Sequence, residues 1–314
     1  MTKSKINAAV LHVNPGNANA QTPTMTIARV LAETLELPLL HGEATVKVAA
    51  NWNKRYDVLF VKPGVLRFCS YRDAVFELIG KADEIIIVDN DPMFEVDKRL
   101  VPHDCVSYWT TTPINVKDEY GQYVNWNRAT WQHEARLPIS LLGVEHDDAL
   151  VYHGRYRPDR HSSFDRYFSR PQVKTVVRCQ HKAKAEFERY HPAVICHVDK
   201  QSDILELGQY KAGLYIEDDF SHSTFTSLAQ RFYEYLQVGL PIVFDAECAK
   251  TCETAGLIRY EEFTVDGTAD VARFMRQNLV KVAHKQADLW YRDYKAELRS
   301  DVRAAARKHF GWKV

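Results

Sequence analysis

Between Tyr152 and His161 the sequence YHGRYRPDRH places Arg155, Arg157 and Arg160 close together, directly behind Gly154. A guanidinium group offers a planar fork of donors that matches phosphate oxygens, and a glycine lets the backbone approach a ligand closely. Three arginines where a strand-like run meets a helical stretch suit a diphosphate leaving group. Their fixed charge would stabilise the negative charge that develops as the bond to it breaks. An ordinary arginine-bearing surface loop has the same composition and is the competing reading. A second segment, LAQRFYEYLQVGLPIVFD from Leu228 to Asp245, sets Arg231 and Glu234 three residues apart, on one face of an expected helix that stops at Gly239. An i,i+3 ion pair is the alternative there.

These groups need a frame. Val- and Ile-rich runs at Ile6–Val13, Val58–Val61 and Ile85–Val88 alternate with amphipathic stretches such as Thr26–Leu37, the order of βαβ units around a parallel sheet. A second series follows at Ala149–Tyr152, Lys174–Arg178, Ala193–His197, Gly213–Ile216 and Pro241–Phe244. The expected organisation is an N-terminal domain over 1–145, a second over 146–285 and a C-terminal helix over 286–314 that packs back on them, with the linker at Gly143–Asp148. Between Ser107 and Gln132 the alternation breaks, and a hairpin centred on Gly121 is the local reading. Trp290, Tyr294, Leu298, Val302, Ala306 and Phe310 recur every four residues and mark one face of a long helix. Residues 271–314 hold eleven Lys and Arg against four Asp and Glu, a basic excess read first as a solvated face and second as a phosphate-binding patch.

Composition narrows the function. The chain has 314 residues, enough for two domains, and 41 basic against 41 acidic side chains, so polyanion binding must come from a local patch. The longest apolar runs are strand-length and too short to span a bilayer. No secretory signal is read at the N-terminus, and a cytoplasmic location, in a host cell if the gene is a phage's, is the expectation. Six cysteines form no C-x-x-C pair, and neither G-x-G-x-x-G nor a P-loop is present, which removes motif support for a dehydrogenase or an NTPase. A nucleotide-sugar transferase needs neither motif. It holds a diphosphate with arginines and helix amides, grips a ribose with a carboxylate and deprotonates an acceptor hydroxyl.

A helical Arg and Glu ahead of a Gly-Pro-bounded strand resembles the nucleotide-sugar site of glycosyltransferases built from two Rossmann domains. The chain resembles in particular the bacteriophage DNA β-glucosyltransferases. The Asn-x-Gly-Asn turn after their first strand is matched by Asn14, Gly16 and Asn17 around Pro15; their Gly-x-aromatic-Arg turn by Gly154, Arg155, Tyr156 and Arg157; their Arg-x-x-Glu helix by Arg231 and Glu234. The resemblance implies an α/β fold of GT-B type, two Rossmann-like domains facing a central cleft. It also implies a UDP-sugar donor, UDP-glucose foremost, and a double-stranded DNA acceptor carrying hydroxymethylated pyrimidines, bound by a monomer without a membrane. Its catalytic base follows a strand, which in IIIVDNDP proposes Asp89, with Asp91 as rival. A divalent metal could assist, since D-x-D spacing suits hard cations, but the sequence does not require one. Two departures stand out: the acidic residue early in the family's first helix falls at Met25, and the second phosphate-turn arginine is displaced to Arg160.

A base stacked in a duplex is out of reach of a cleft, so the resemblance implies that the target nucleotide is extruded. Trp109, Tyr123, Trp126 and Trp131, with Arg128, could stack on or wedge against nucleic acid, although packing explains such aromatics more often. Lys54, Arg55, Lys62, Arg67 and Arg72 could contact phosphates. The alternatives are the same fold acting on a protein, glycan or small molecule, and a binding module without turnover.

Overall fold

The computed structural model describes residues 6–13, 23–62, 70–89, 106–111, 121–128, 147–192, 194–198, 204–217, 228–290 and 294–312. The chain divides into two compact units, residues 1–133 with 293–314, and residues 134–292. Of the linker expected at Gly143–Asp148, residues 143–146 lie outside the described residues, and Asp147 already begins a strand.

The first unit is a parallel sheet of β1 (Ala8–His12), β2 (Leu39–His41), β3 (Tyr56–Lys62), β4 (Ala82–Asp89), β5 (Val106–Thr110) and β6 (Gly121–Tyr123), in the order β2-β1-β3-β4-β5-β6. Both faces are covered, which is why its strands read as unbroken apolar runs. Val10, Phe60, Ile86, Val88 and Trp109 pack with the helices Pro23–Leu35 and Tyr294–Phe310 on one side. Leu11, Leu59, Val61, Ile85 and Ile87 pack with Glu43–Asn51 and Arg72–Gly80 on the other.

The structure corrects two local expectations here. Gly121, expected at the centre of a hairpin, opens β6, which pairs in parallel with β5, Tyr108 against Gly121 and Thr110 against Tyr123. Their β-forming residues suit either direction of pairing, and only tertiary context decides it. The expected long C-terminal helix is present as Tyr294–Phe310, but Trp290, read as the first residue of its apolar face, ends a separate preceding helix. Leu279–Trp290 ends with Trp290 packed on Phe232, Phe244 and Phe263 of the second unit, whereas Leu298, Val302 and Ala306 of Tyr294–Phe310 sit in the first unit's core. A four-residue recurrence therefore ran across a unit boundary.

The second unit is a parallel sheet of β7 (Asp147–His153), β8 (Thr175–Cys179), β9 (Val194–Val198), β10 (Tyr210–Tyr215), β11 (Ile242–Asp245) and β12 (Thr264–Val265), in the order β12-β11-β10-β7-β8-β9. Counted from β7 this is the doubly wound arrangement 3-2-1-4-5-6, whose order reverses between β7 and β10. The helix Gln230–Gln237 precedes β11 and ends as expected at Gly239, with φ of 64°. Gly239 N–H donates to Leu236 O at 3.1 Å and Leu240 N–H to Tyr235 O at 3.0 Å, the paired bonds of a Schellman stop that a residue without Cβ accommodates. Gly213 of β10 has no room for a side chain, since a Cβ would lie 2.9 Å from the Tyr235 ring, and so the helix seats directly on the strand.

Candidate functional site

Open parallel sheets bind ligands outside the carboxyl ends of the strands, where the strand order reverses. In the second unit that point lies between the ends of β7 and β10, and it gathers Tyr152, His153, Gly154 and Arg160 from the first and Ile216 and Glu217 from the second. Arg231, in the first turn of Gln230–Gln237, donates from one terminal nitrogen to Ile216 O at 2.9 Å and to the Tyr152 hydroxyl at 3.2 Å. Its guanidinium carbon lies 5.3 Å from the Tyr152 ring centre and 5.8 Å from that of Tyr215. Burial works against the charge, but the electrostatic influence of Tyr152, Glu217, Tyr215 and Tyr235 outweighs it, and Arg231 stays cationic.

Of the three loop arginines, Arg160 joins this cluster through hydrogen bonds. It is buried, donating to Tyr152 Oη at 2.9 Å and to Glu217 Oε2 at 3.2 Å. Arg157 is half-buried on extended backbone ahead of a short 3-10 turn, and Arg155 is exposed. The Arg157 backbone is extended, so the three arginines do not share one turn, and Arg160 meets a helix arginine, Arg231, at the Tyr152 hydroxyl. Gly154 is required by this packing. A Cβ there would lie 2.8 Å from Tyr152 Oη and 3.3 Å from Arg231 Cζ.

Glu234 is buried one turn beyond Arg231, with Oε2 3.9 Å from His153 Nδ1. Burial, with Arg178 and Arg231 nearby, pulls the His153 pKa down to about 3, so this imidazole is neutral at physiological pH and does not form an ion pair with Glu234. His153 N–H donates to Tyr235 Oη at 2.8 Å, tying the end of β7 to the helix that carries Arg231 and Glu234. Arg178, at the β8 end and buried, pairs with Glu206 at 2.6 Å. Tyr152, His153, Arg178 and Glu217 escape sequence reading. The available signal was position, since Glu217 follows the run GLYI much as Asp89 follows IIIV.

In the first unit Asp89 is the last residue of β4, opposite Thr110 of β5. Asn14, Gly16, Asn17, Arg67, Asp91 and Trp131 lie outside the described residues. The sheet order here also reverses, between β1 and β3. His12 sits on the last rung, in register with His41 of β2 and Lys62 of β3. His12 Nδ1 and His41 Nδ1 are 3.0 Å apart, a spacing that lets one ring donate to the other. Burial first, then the neighbouring His41, Lys62 and Arg29, bring the His12 pKa down to about 4.

Several expected nucleic-acid contacts are corrected. Trp109 and Trp126 are fully buried, and Trp126 Nε1–H donates to Trp109 O at 2.8 Å, so neither ring is presented for stacking. Lys62 is buried as well. Arg128 is paired with Asp301 at 2.9 Å and Glu297 at 3.1 Å, which places its charge against the C-terminal helix. Arg72 is exposed at the start of Arg72–Gly80, and Arg55 pairs on the surface with Asp83. Among the described residues no three His, Cys, Asp or Glu side chains form a metal-binding group, and no helix is long and apolar enough to cross a membrane.

No protein-family model matches the chain, and no curated protein matches it in sequence. Solved structures do match in three dimensions. A β-glucosyltransferase described as a DNA modifying enzyme, solved with and without its substrate uridine diphosphoglucose, aligns with a TM-score of 0.67 over 96% of this chain and 98% of its own at 14% identity. T4 phage β-glucosyltransferase in complex with UDP and Mn2+ gives 0.67, with the same coverage and identity. AviGT4, a glycosyltransferase of avilamycin A biosynthesis, gives 0.50 over 96% of this chain and 97% of its own at 14% identity. Two doubly wound parallel sheets followed by a C-terminal helix, aligned along nearly the full chain, are the α/β fold of the GT-B glycosyltransferases.

Proposed function

We propose that the protein transfers a sugar, glucose foremost, from a UDP-sugar to the hydroxymethyl group of a modified pyrimidine in DNA, with inversion. The observation that carries the donor half is the pair of arginines converging on the Tyr152 hydroxyl at the reversal of the second sheet, with the Glu234 carboxylate one helical turn away. Arg231 and Arg157 bind the diphosphate through charge-assisted hydrogen bonds, and Glu234 accepts from the ribose hydroxyls. Gly16, flanked by Asn14 and Asn17, supplies backbone amides to the donor.

In the chemical step the acceptor oxygen attacks the anomeric carbon while Asp89 takes its proton. The new carbon–oxygen bond forms as the bond to the β-phosphate oxygen breaks, and UDP leaves with the electron pair, its charge offset by the arginines. One displacement inverts the anomeric centre. The target nucleotide leaves the stack to reach the site, and Arg67 and Arg72 contact backbone phosphates.

Supporting a DNA acceptor are the order of the four sequence matches and the TM-score of 0.67 to a DNA modifying enzyme. A small-molecule, glycan or protein acceptor is the second reading, favoured by the neutral overall charge and the AviGT4 likeness. Mass spectrometry of nucleosides digested from hydroxymethylated DNA, after incubation with a panel of UDP-sugars, separates the two. A glycosylated hydroxymethylpyrimidine is the expected product, and unmodified DNA together with a salt-insensitive mobility shift would move the acceptor elsewhere.

A further inference from the structure

The donor cluster contains a closed circuit of side chains that sequence reading does not assign. Starting from Glu217, Oε2 accepts from Arg160 at 3.2 Å, and Arg160 donates to Tyr152 Oη at 2.9 Å. The same oxygen accepts from Arg231 at 3.2 Å, and Arg231 donates to the carbonyl of Ile216, the residue bonded to Glu217, at 2.9 Å. Tyr152 gives its own proton to Arg155 O at 3.3 Å. Its oxygen is therefore free to serve as acceptor for both guanidinium groups.

Arg160 and Glu217 are each only 4% exposed. Neither presents a surface for direct ligand contact, so their contribution to the site passes through Arg231, which is less deeply buried. Two guanidinium groups on one neutral oxygen repel each other, and Glu217 is the buried anion that makes the arrangement tenable. Its Oε1 is buried and, among the described residues, receives no hydrogen bond. A carboxylate kept in that condition is costly unless its charge is needed where it stands.

We propose that Glu217 is a positioning residue which, through Arg160 and Tyr152, fixes the Arg231 guanidinium for the donor's diphosphate. Arg160 is accordingly part of the support for Arg231. The inference rests on the reading of Arg231 as a diphosphate ligand. Glycine at 154 belongs to the same device, since any side chain there would displace the tyrosine hydroxyl and Arg231 together.

The test compares the affinities of UDP and uridine for the full chain, by calorimetry and ligand-observed NMR, in wild type, Glu217→Gln, Tyr152→Phe and Arg231→Ala. Glu217→Gln and Tyr152→Phe are expected to weaken UDP by about tenfold, the effect of degrading one charge-assisted hydrogen bond, while uridine affinity stays within about twofold. In the Arg231→Ala background Glu217→Gln should have no further effect on UDP, the non-additivity expected of residues acting through one group. Equal losses for UDP and uridine would reduce Glu217 to a folding role and overturn the proposal, as would wild-type UDP affinity in folded Glu217→Gln. Should Glu217→Gln fail to fold, Tyr152→Phe decides alone by the same split. A wild-type protein that binds no UDP would instead overturn the donor reading on which the proposal stands.

Discussion

Arg160 and Arg231, seventy-one positions apart in sequence, donate to the same oxygen, the Tyr152 hydroxyl, at 2.9 and 3.2 Å. One comes from the loop after β7 and the other from the helix after β10, so the contact joins the two elements that flank the reversal in the second sheet. On the proposed reading, a phosphate group arriving there would meet guanidinium charge already oriented. Prior ordering of this kind removes an entropic cost from binding.

Arg231→Ala and Arg157→Ala should both weaken UDP, Arg231→Ala the more because its guanidinium is held by Tyr152 and Ile216 whereas Arg157 is half-buried on a loop. Loss of a hydrogen bond to a charged group corresponds to about 1.5–3 kcal/mol, roughly ten- to a hundredfold in affinity. Glu234→Ala should weaken UDP as well, since two ribose hydroxyls lose their acceptor. Calorimetry checks all three. If Glu234→Ala lowers only the melting temperature, the carboxylate is structural.

Acidification should destabilise the protein through buried neutral histidines. His12 is held at about 4 and His153 at about 3, against about 6.5 for an unfolded histidine. Below pH 6.5 the unfolded chain takes up protons that the folded chain refuses. Stability therefore falls as pH drops, down to about 4 for His12 and about 3 for His153, and is flat with respect to these groups above 6.5. At pH 5 each contributes a penalty of roughly 2 kcal/mol. Melting curves between pH 5 and 7.5 should show the decline, and His153→Gln should flatten it. An unchanged slope in that variant would place the titration elsewhere.

Trp126→Phe should reduce stability by about 1–3 kcal/mol, from the lost bond to Trp109 O and the smaller ring in a closed core. DNA affinity measured well below the melting temperature should not change. A folded Trp126→Phe protein that lost DNA binding would restore the stacking role.

The frame was largely legible in the sequence because strands buried on both faces announce themselves as apolar runs, as at Ile85–Val88, and because a Gly-Pro-bounded stop marks the helix before β11. The arginine cluster was only half legible. Arg231, Glu234 and Gly154 stand in local patterns with chemical meaning. Tyr152 and Glu217 acquire theirs only when β7 and β10, distant in sequence, lie side by side. For the same reason the sequence suggests a hairpin centred on Gly121 where the fold has a parallel strand: the direction of pairing depends on the intervening crossover, and strand composition carries no trace of it. Trp109 and Trp126 misled because an aromatic ring is equally suited to a base and to a core.

Asp89→Asn should abolish transfer while leaving UDP-sugar affinity nearly intact. The amide keeps the size of the carboxylate but cannot take the acceptor's proton, so the loss belongs in the chemical step, about 10²- to 10⁴-fold for a general base. Asp89 ends β4, at the carboxyl edge of a parallel sheet, where residues of doubly wound folds meet their ligands. Asp91, two residues farther along, is the competing base, and Asp91→Asn should be the milder change if it serves only the turn. Single-turnover assays of both variants on the same hydroxymethylated DNA compare them directly. Full activity in Asp89→Asn would remove Asp89 from the mechanism, and a deficit confined to Asp91→Asn would transfer the role.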